Sequence, residues 1–513
     1  MTKLEHTEVL VVGGGPVGLT MSILLSRYGI DHILVERRNE TSTHPKARGV
    51  SARSMEIFRR CGVAEDVARA GLPASHVSFY RGSSLVDPDF VRASPGGDTE
   101  LDAVTPTPGL ICAQNELEPV LLTHAKARGE ARIAFGSRHI GVDERAGVLI
   151  STIEDVNTGD VRQVSSRFVV ACDGIGSATR ARVGIAMKGT TGLGRYLSIR
   201  FKAPLGRLLA DRLSASYFLT PPAVGGFMAI DNDVEWIYQY PYKEGSDAER
   251  LSDEECAALI RTAAGIGGLD VEVIDTMAWR MDALLAESYC RGGIFLVGDA
   301  AHAIPPTGGH GMNTGIGDAD NLAWKMAAVI RGEAGPALLD TYEVERRPIA
   351  EQIIDISSRN SRAAGGYRID DQLLLGTRYR SAAVQTDSTD GTSGLDRSKP
   401  PFRADPGKRL PHTWLRPEVS TLDLVGCNAI VVVNGEDSTE WNALANVAQR
   451  EGISIRIENI GGESFGALCP KPGVSGILVR PDGHIAACFT GIPALIEFLE
   501  AACRMFGRAS RDQ

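Results

Sequence analysis

The stretch that decides the fold runs from Val9 to Glu36. It begins Val9-Leu10-Val11-Val12-Gly13-Gly14-Gly15-Pro16-Val17-Gly18-Leu19 and ends His32-Ile33-Leu34-Val35-Glu36. Val9 to Val12 is a continuous apolar run of strand length. Gly13, Gly15 and Gly18 fit the spacing G-x-G-x-x-G. From Val17 to Tyr28 the apolar pattern is helical, and Gly29 is placed to stop the helix. A second β-branched run, Ile33 to Val35, ends at Glu36, close to the ~20-residue offset of an acid that grips a ribose. Gly13 suits the tight turn, Gly15 the approach of a pyrophosphate, and Gly18 the packing of helix on strand. The helix N-terminus then faces the phosphates. The glycines alone carry little weight in a chain with 57 of them. Strand, glycines, helix, strand and terminal acid in that order predict a dinucleotide site.

Outward from this unit, 513 residues are too many for one core and imply two or three domains. A hydrophobic content of 43% and a charged content of 23% are those of a soluble globular protein. The net charge of −10 argues against nucleic acid or an anionic membrane as partner. The nine cysteines are scattered, without C-x-x-C or metal spacing. They read as small apolar residues in a reducing, cytoplasmic setting, with no metal. No apolar run reaches the ~18 residues of a membrane span, and no signal-peptide core precedes the first strand.

The chain divides as a first nucleotide-domain part over 1–185, an inserted β-sheet domain over 186–285, and a second nucleotide-domain part with helices over 286–380. A linker over 381–405 and a small α/β unit over 406–513 follow. Ser51 to Arg60 is helical in pattern, Gln114 opens another helix, and residues 81–109 read as irregular or as short strands. Phe168 to Ala171 reads as a buried strand ending at Cys172-Asp173-Gly174. Tyr196–Phe201 and Trp236–Tyr240 carry the aromatic and β-branched residues of strands. Alternation puts Trp236, Tyr238 and Tyr240 on one face and Ile237 and Gln239 on the other. Residues 381–400 are nearly free of large apolar side chains, hence the linker. The last unit reads strand Ala429–Val433, helix around Trp441–Arg450, strands Ile453–Ile457 and Gly476–Arg480, and a terminal helix from Pro493 to Phe506.

Three motifs end strands far apart in sequence: Gly13 to Gly18, Asp173-Gly174 and Gly298-Asp299. Ligands of open α/β sheets bind outside the carboxyl ends of the strands, so one molecule can touch all three. The third motif is long, GDAAHAIPPTGGHGMNTGIGDADNLAWK over 298–325. A helix beginning near Asn313 would point its positive end at that ligand.

With HPKARGVSARSMEIFRRCGV (44–63), ACDGIGSATR (171–180), PGKRLPHTWL (406–415) and LVRPDGHIA (478–486), these stretches resemble the single-component FAD-dependent aromatic hydroxylases. The closest likeness is to the branch of phenol, dichlorophenol and polyketide hydroxylases. The resemblance implies an α/β, multidomain (α+β) fold: a Rossmann-like FAD-binding domain, an inserted β-sheet substrate domain and a C-terminal thioredoxin-like domain, here without C-x-x-C. It implies FAD held by Gly13, Gly15, Val17 and Gly18 at the pyrophosphate, with Glu36 on the ribose and Arg37 at the adenine end. Lys46 and Gln114 would lie by the flavin and Asp299 would bond the ribityl chain. Pro306, Gly309, Gly311, Met312 and Asn313 would meet the flavin ring, and Asp173 would serve both FAD and NADPH. Lys46 departs from the Arg of many relatives.

The implied activity is hydroxylation of a phenolic or heteroaromatic ring through a flavin hydroperoxide. NADPH (or NADH) and O2 are cosubstrates, in natural-product biosynthesis or aromatic degradation, by a monomer or homodimer. The alternatives are Baeyer–Villiger or epoxidising oxygen insertion, and a flavin-bearing protein that sequesters a reactive intermediate. Phe218, Phe227, Tyr238 and Trp279 are candidates for the substrate wall. No catalytic base is assigned; His302 and His310 are weaker candidates. Asp299 could instead cap a turn, and Arg53 reads as a solvated or packing charge more than a cofactor contact.

Overall fold

The computed structural model describes residues 4–72, 79–93, 103–362, 373–385, 391–397, 403–435, 438–469 and 471–508. Parts of the 81–109 and 381–405 segments therefore lie outside the described residues.

The first sheet is built on strand Leu4–Val12, which pairs in parallel with His32–Glu36 on one side and Val161–Ala171 on the other. Ile294–Leu296 and Ala131–Phe135 extend it in parallel at either side. The helix Pro16–Arg27 follows the glycine turn and buries nearly all its residues, which is why its sequence is apolar almost all round. It packs on the helix Gly311–Ile330, whose buried residues include Ile316, Ala319, Leu322, Ala323 and Met326. Gly29 adopts φ +69°, as a stop residue requires.

A second, eight-stranded sheet runs in the order His302–Ala303, Glu272–Ala286, Met187–Lys202, Glu235–Tyr242, Gly226–Ala229, Ser216–Leu219, Phe79–Gly82, Val91–Ala93. It draws strands from both sides of the 186–285 insertion. One face is covered by the helix Asp253–Ala264. Leu197, Ile199, Phe201, Tyr217, Phe227, Trp236, Tyr238, Cys256 and Ile260 form the core there. This overturns two substrate-wall candidates. Phe227 and Tyr238 are 0% and 2% exposed, stack on each other at 4.8 Å, and belong to the sheet's own core. The Tyr238 hydroxyl donates to the Val224 carbonyl at 2.8 Å.

The C-terminal unit has a four-stranded sheet ordered Ile455–Ile460, Ala429–Asn434, Val474–Val479, Ile485–Thr490. The first pair is parallel and the rest antiparallel, with helices Thr439–Arg450 and Leu495–Met505, as in a thioredoxin-like fold. The terminal helix starts two residues later than expected, with Ala494 as its cap, so Pro493 precedes it. The linker reading fails at two of its three described pieces. Ala383 and Val384 are buried, and Gly394–Leu395 pairs with Thr377–Arg378.

This unit is joined to the first by buried charge. Arg480 donates to Glu345 at 2.7 and 2.9 Å and to Asp482 at 2.5 and 3.1 Å, and all three side chains are shut off from solvent. Arg53 is the packing charge of the two readings, buried rather than solvated. It bonds Asp320 at 3.1 Å and the Asp482 carbonyl at 2.8 Å.

Candidate functional site

The three strand-end motifs meet. A Cβ on Gly13 would lie 2.3 Å from the Cys172 carbonyl oxygen, so the first turn abuts the second motif; Gly13 also has φ +110°. A Cβ on Gly18 would lie 1.9 Å from the Gly13 carbonyl oxygen. Helix and strand approach so closely only because both residues are glycine. Val17 touches the third motif: a Cβ on Gly298 or Gly315 would come within 3.2 and 2.7 Å of its methyl groups. Beside Gly15 the space is open, with nothing nearer a Cβ than Glu118 Oε1 at 3.9 Å. Gly15 is the N-cap of the helix and no side chain caps it. Its first N–H groups are thus left for a ligand.

Glu36 ends its strand beside this turn. Its carboxylate accepts from Gly14 N at 2.6 Å, Arg38 N at 2.9 Å and Arg38 Nε at 3.0 Å. Burial works against its charge, yet these bonds hold the carboxyl below its usual range. Oε1 takes both bonds from Arg38, so Oε2, which accepts only from Gly14 N, keeps room for a further donor such as a ribose hydroxyl. Arg37 next to it is exposed. Gln114 is half-buried: its Nε2 donates to Glu118 at 2.6 Å and its Oε1 accepts from Ala47 N at 3.3 Å, which ties the helix Gln114–Lys126 to the Lys46 loop.

Asp173 accepts from Thr179 N at 3.1 Å through Oδ2, while its buried Oδ1 has no partner among the described residues. Asp299 is crowded by protein yet exposed, as on the floor of a cleft. Desolvation pushes its carboxyl up, and the nearby charges of His302 and Lys46 work against that. Its turn is held from behind by Asp318, which accepts from Gly298 N at 3.1 Å, His302 Nε2 at 2.7 Å and Arg346 Nε at 2.8 Å. His302 is fully buried in that support. Pro306 and Gly309 are exposed, and Gly311 and Met312 half-buried. Asn313 spends its side chain internally. Its Oδ1 accepts from Ser51 N and Ser54 Oγ, and its Nδ2 donates to the Gly49 and Gly309 carbonyls. Its amide is thus committed to the protein, leaving the uncapped helix start at Gly311 to offer backbone N–H groups.

The residues missed in the sequence are those that bring the second sheet over this cleft. His44 bonds Asp275 through Nδ1 and Ser198 Oγ through Nε2 at 3.0 Å. Arg200 donates to the Thr43 carbonyl at 2.8 Å. Arg48 donates to the Ala215 and Ala229 carbonyls at 2.9 and 2.8 Å and to Ser216 Oγ at 2.8 Å. The face of the second sheet that meets loop 43–48 is therefore that of Ser198, Gln239, Met277 and Trp279, residues paired or aligned across the strands. Phe218 lies on it too, through its pairing with Gly226 opposite Gln239. The signal available was the HPKARG run, whose charged side chains need partners if the loop packs under a sheet.

The residues present fit a dinucleotide cofactor: an uncapped helix start, an open glycine, an acid at the next strand end and a cleft carboxylate. Among the described residues no cluster of His, Cys, Asp and Glu is fit to hold a metal ion, and no helix is long and apolar enough to cross a membrane.

Comparison with known proteins points to the same class of cofactor. The family model for an FAD binding domain matches residues 6–357, and that for the C-terminal domain of aromatic-ring hydroxylases matches 403–509. Tetracenomycin A2 monooxygenase-dioxygenase of Streptomyces glaucescens is 34% identical, over 94% of this chain and 93% of its own. The crystal structure of the flavin-dependent monooxygenase PieE with FAD and substrate superposes with a TM-score of 0.89 at 29% identity, covering 98% of this chain and 99% of that one. A ternary complex of aklavinone-11 hydroxylase with FAD and aklavinone gives 0.87 at 29% identity, covering 99% and 100%.

Proposed function

Since this chain belongs to the FAD-dependent aromatic-ring hydroxylases, we propose that it uses NADPH (or NADH) and O2 to hydroxylate a phenolic or heteroaromatic ring. The observation that carries the reading is the convergence of the Gly13, Asp173 and Gly298 motifs under the Ser198–Trp279 face of the second sheet. FAD supplies electron transfer from the nicotinamide and oxygen activation when bound. The chain's residues position it. The backbone from Gly13 to Gly18 and the start of the helix Pro16–Arg27 take the pyrophosphate, and Glu36 takes the ribose. Asp299 takes the ribityl hydroxyls, and the backbone around Gly311 and Met312 meets the ring edge. Lys46 places a positive charge beside Asp299. Phe218 and Trp279 are the aromatic walls left on the cofactor side, and the second sheet shields the cleft from water.

The test is direct. Purified protein is expected to be yellow, to hold FAD noncovalently, and to oxidise NADPH faster when a phenol is added, with one atom of isotope-labelled O2 in the product. FAD and a phenol bound without NADPH oxidation would instead favour a protein that sequesters an intermediate.

A further inference from the structure

On the cofactor-facing side of the second sheet, a file of hydrogen bonds runs from a carboxylate to a single amide. The Asp275 carboxylate can only accept, so His44 Nδ1 carries the hydrogen between them. In the neutral ring, Nε2 then accepts, and the Ser198 hydroxyl, 3.0 Å away, donates to it. Ser198 Oγ in turn accepts from Gln239 Nε2 at 3.0 Å. Trp279 Nε1, a donor only, gives its hydrogen to Gln239 Oε1 at 3.1 Å. The indole is itself fixed, stacked on Tyr196 at 4.6 Å and 15°. Both ends of the Gln239 amide are thereby set, and it cannot flip without opposing two donors.

One hydrogen of Gln239 Nε2 remains, and among the described residues it has no acceptor. Gln239 is half-buried, whereas Ser198 beneath it is 1% exposed. Across the strands its neighbour on one side is Gly226, which carries no side chain to cover it, and Phe218 stands beyond. The amide is open where an aromatic ligand would lie flat. The bond that Trp279 gives to Gln239 Oε1 draws electron density from the amide nitrogen and polarises the remaining N–H.

Resting on the hydroxylase reading above, we propose that Gln239 is a specificity-determining residue. It selects flat aromatic substrates that present an acceptor oxygen, a phenolate or ring carbonyl, and the Asp275–His44–Ser198 file and Trp279 are its positioning residues. A site built to donate a hydrogen bond rejects an analogue lacking the acceptor, because the donor is left unpaired.

The experiment uses the FAD-loaded full chain. Binding of 2-naphthol and of naphthalene is followed by the change in the flavin absorbance spectrum. Wild type is expected to prefer 2-naphthol. Gln239→Leu, which keeps the volume and removes the donor, is expected to lose about tenfold of that preference while FAD affinity holds. Gln239→Glu, the same shape with an acceptor in place of the donor, is expected to lose at least as much, and it serves if the leucine variant does not fold. Ser198→Ala is expected to lose part. A wild type without preference for 2-naphthol, or a Gln239→Leu variant that keeps the wild-type ratio, overturns the proposal. Failure of the hydroxylase reading would show separately, as absent FAD or absent NADPH oxidation in the wild type.

Discussion

Arg480→Met tests how the C-terminal unit is held. The arginine lies between Glu345, on the helix Ala337–Arg362, and Asp482 of its own turn, with its guanidinium 5.1 Å from the Trp324 ring centre. Methionine keeps most of the volume and removes the charge. Glu345 retains Lys325 at 2.8 Å, Asn321 at 2.6 Å and Ser381 at 2.6 Å. Asp482 retains the neutral donors Trp324 Nε1 at 3.2 Å and His484 N at 3.1 Å. Stranding one partner of a buried pair costs about 3–5 kcal/mol. Because Lys325 still neutralises Glu345, most of that falls on Asp482. Adding Asp482→Asn should therefore recover more than adding Glu345→Gln, as a double-mutant comparison shows. The assay is urea unfolding read by tryptophan fluorescence, since Trp324 sits in the cluster, with FAD fluorescence read in parallel. The first transition, the one that undocks the C-terminal unit, should move to lower urea. An unchanged first transition in Arg480→Met, or recovery by Glu345→Gln alone, would refute the reasoning.

Gly18→Ala places a carbon 1.9 Å from the backbone oxygen of Gly13, so helix and turn must part by about 1 Å; a cost of ~3 kcal/mol or more and loss of bound FAD on gel filtration are expected. Asp299→Ala should weaken FAD by ~1.5–3 kcal/mol in a fluorescence titration without lowering the melting temperature of the FAD-free protein; unchanged affinity rejects its role. Burial pushes the buried His139 down to about 4, with Asp173 working against this and Arg182 with it. Between pH 6.5 and 4 the unfolded chain therefore binds the extra proton, so stability is full above pH 6.5 and falls as pH drops, by about 2 kcal/mol at pH 5. His139→Gln should flatten that part of the pH profile of urea midpoints. Tyr238→Ala should cost ~3–5 kcal/mol by emptying the second sheet's core, seen in calorimetry, with little change in the ratio of product to NADPH consumed.

What the sequence showed plainly was local. The turn at Gly13–Gly18, the strand to Glu36 and the helix Gly311–Ile330 each carry their own pattern within some twenty residues. Alternation likewise separated Tyr238 from Gln239. It did not say which face is covered, because that depends on the helix Asp253–Ala264 and on strands Phe79–Gly82 and Val91–Ala93, remote in sequence. The helix had legible signals, a Ser252–Glu255 capping box and buried Cys256, Ile260 and Ala263, and reading them would have assigned the aromatic face to the core. Arg53 was opaque for a different reason. Beside Glu56 on its own helix, its partners lie 267 and 429 residues away, and nothing in a single helix marks a charge as buried.

Loop 43–48 joins these two kinds of information. It holds Lys46 between residues anchored on both sides, with Arg200 on the Thr43 carbonyl, His44 on Asp275 and Ser198, and Arg48 on the Ala215 and Ala229 carbonyls. Lysine is a flexible point charge and cannot fork two bonds as arginine does. Here the backbone supplies part of what the side chain lacks. Fixed on both sides, Lys46 brings its charge to Asp299, whose carboxyl it helps keep ionised against desolvation. The bonds that fix it are made to the sheet face bearing Gln239 and Trp279. If the face bearing Gln239 takes the substrate as proposed, a change there that shifts Ser198 or Asp275 is expected to be felt at Lys46 through the same short loop.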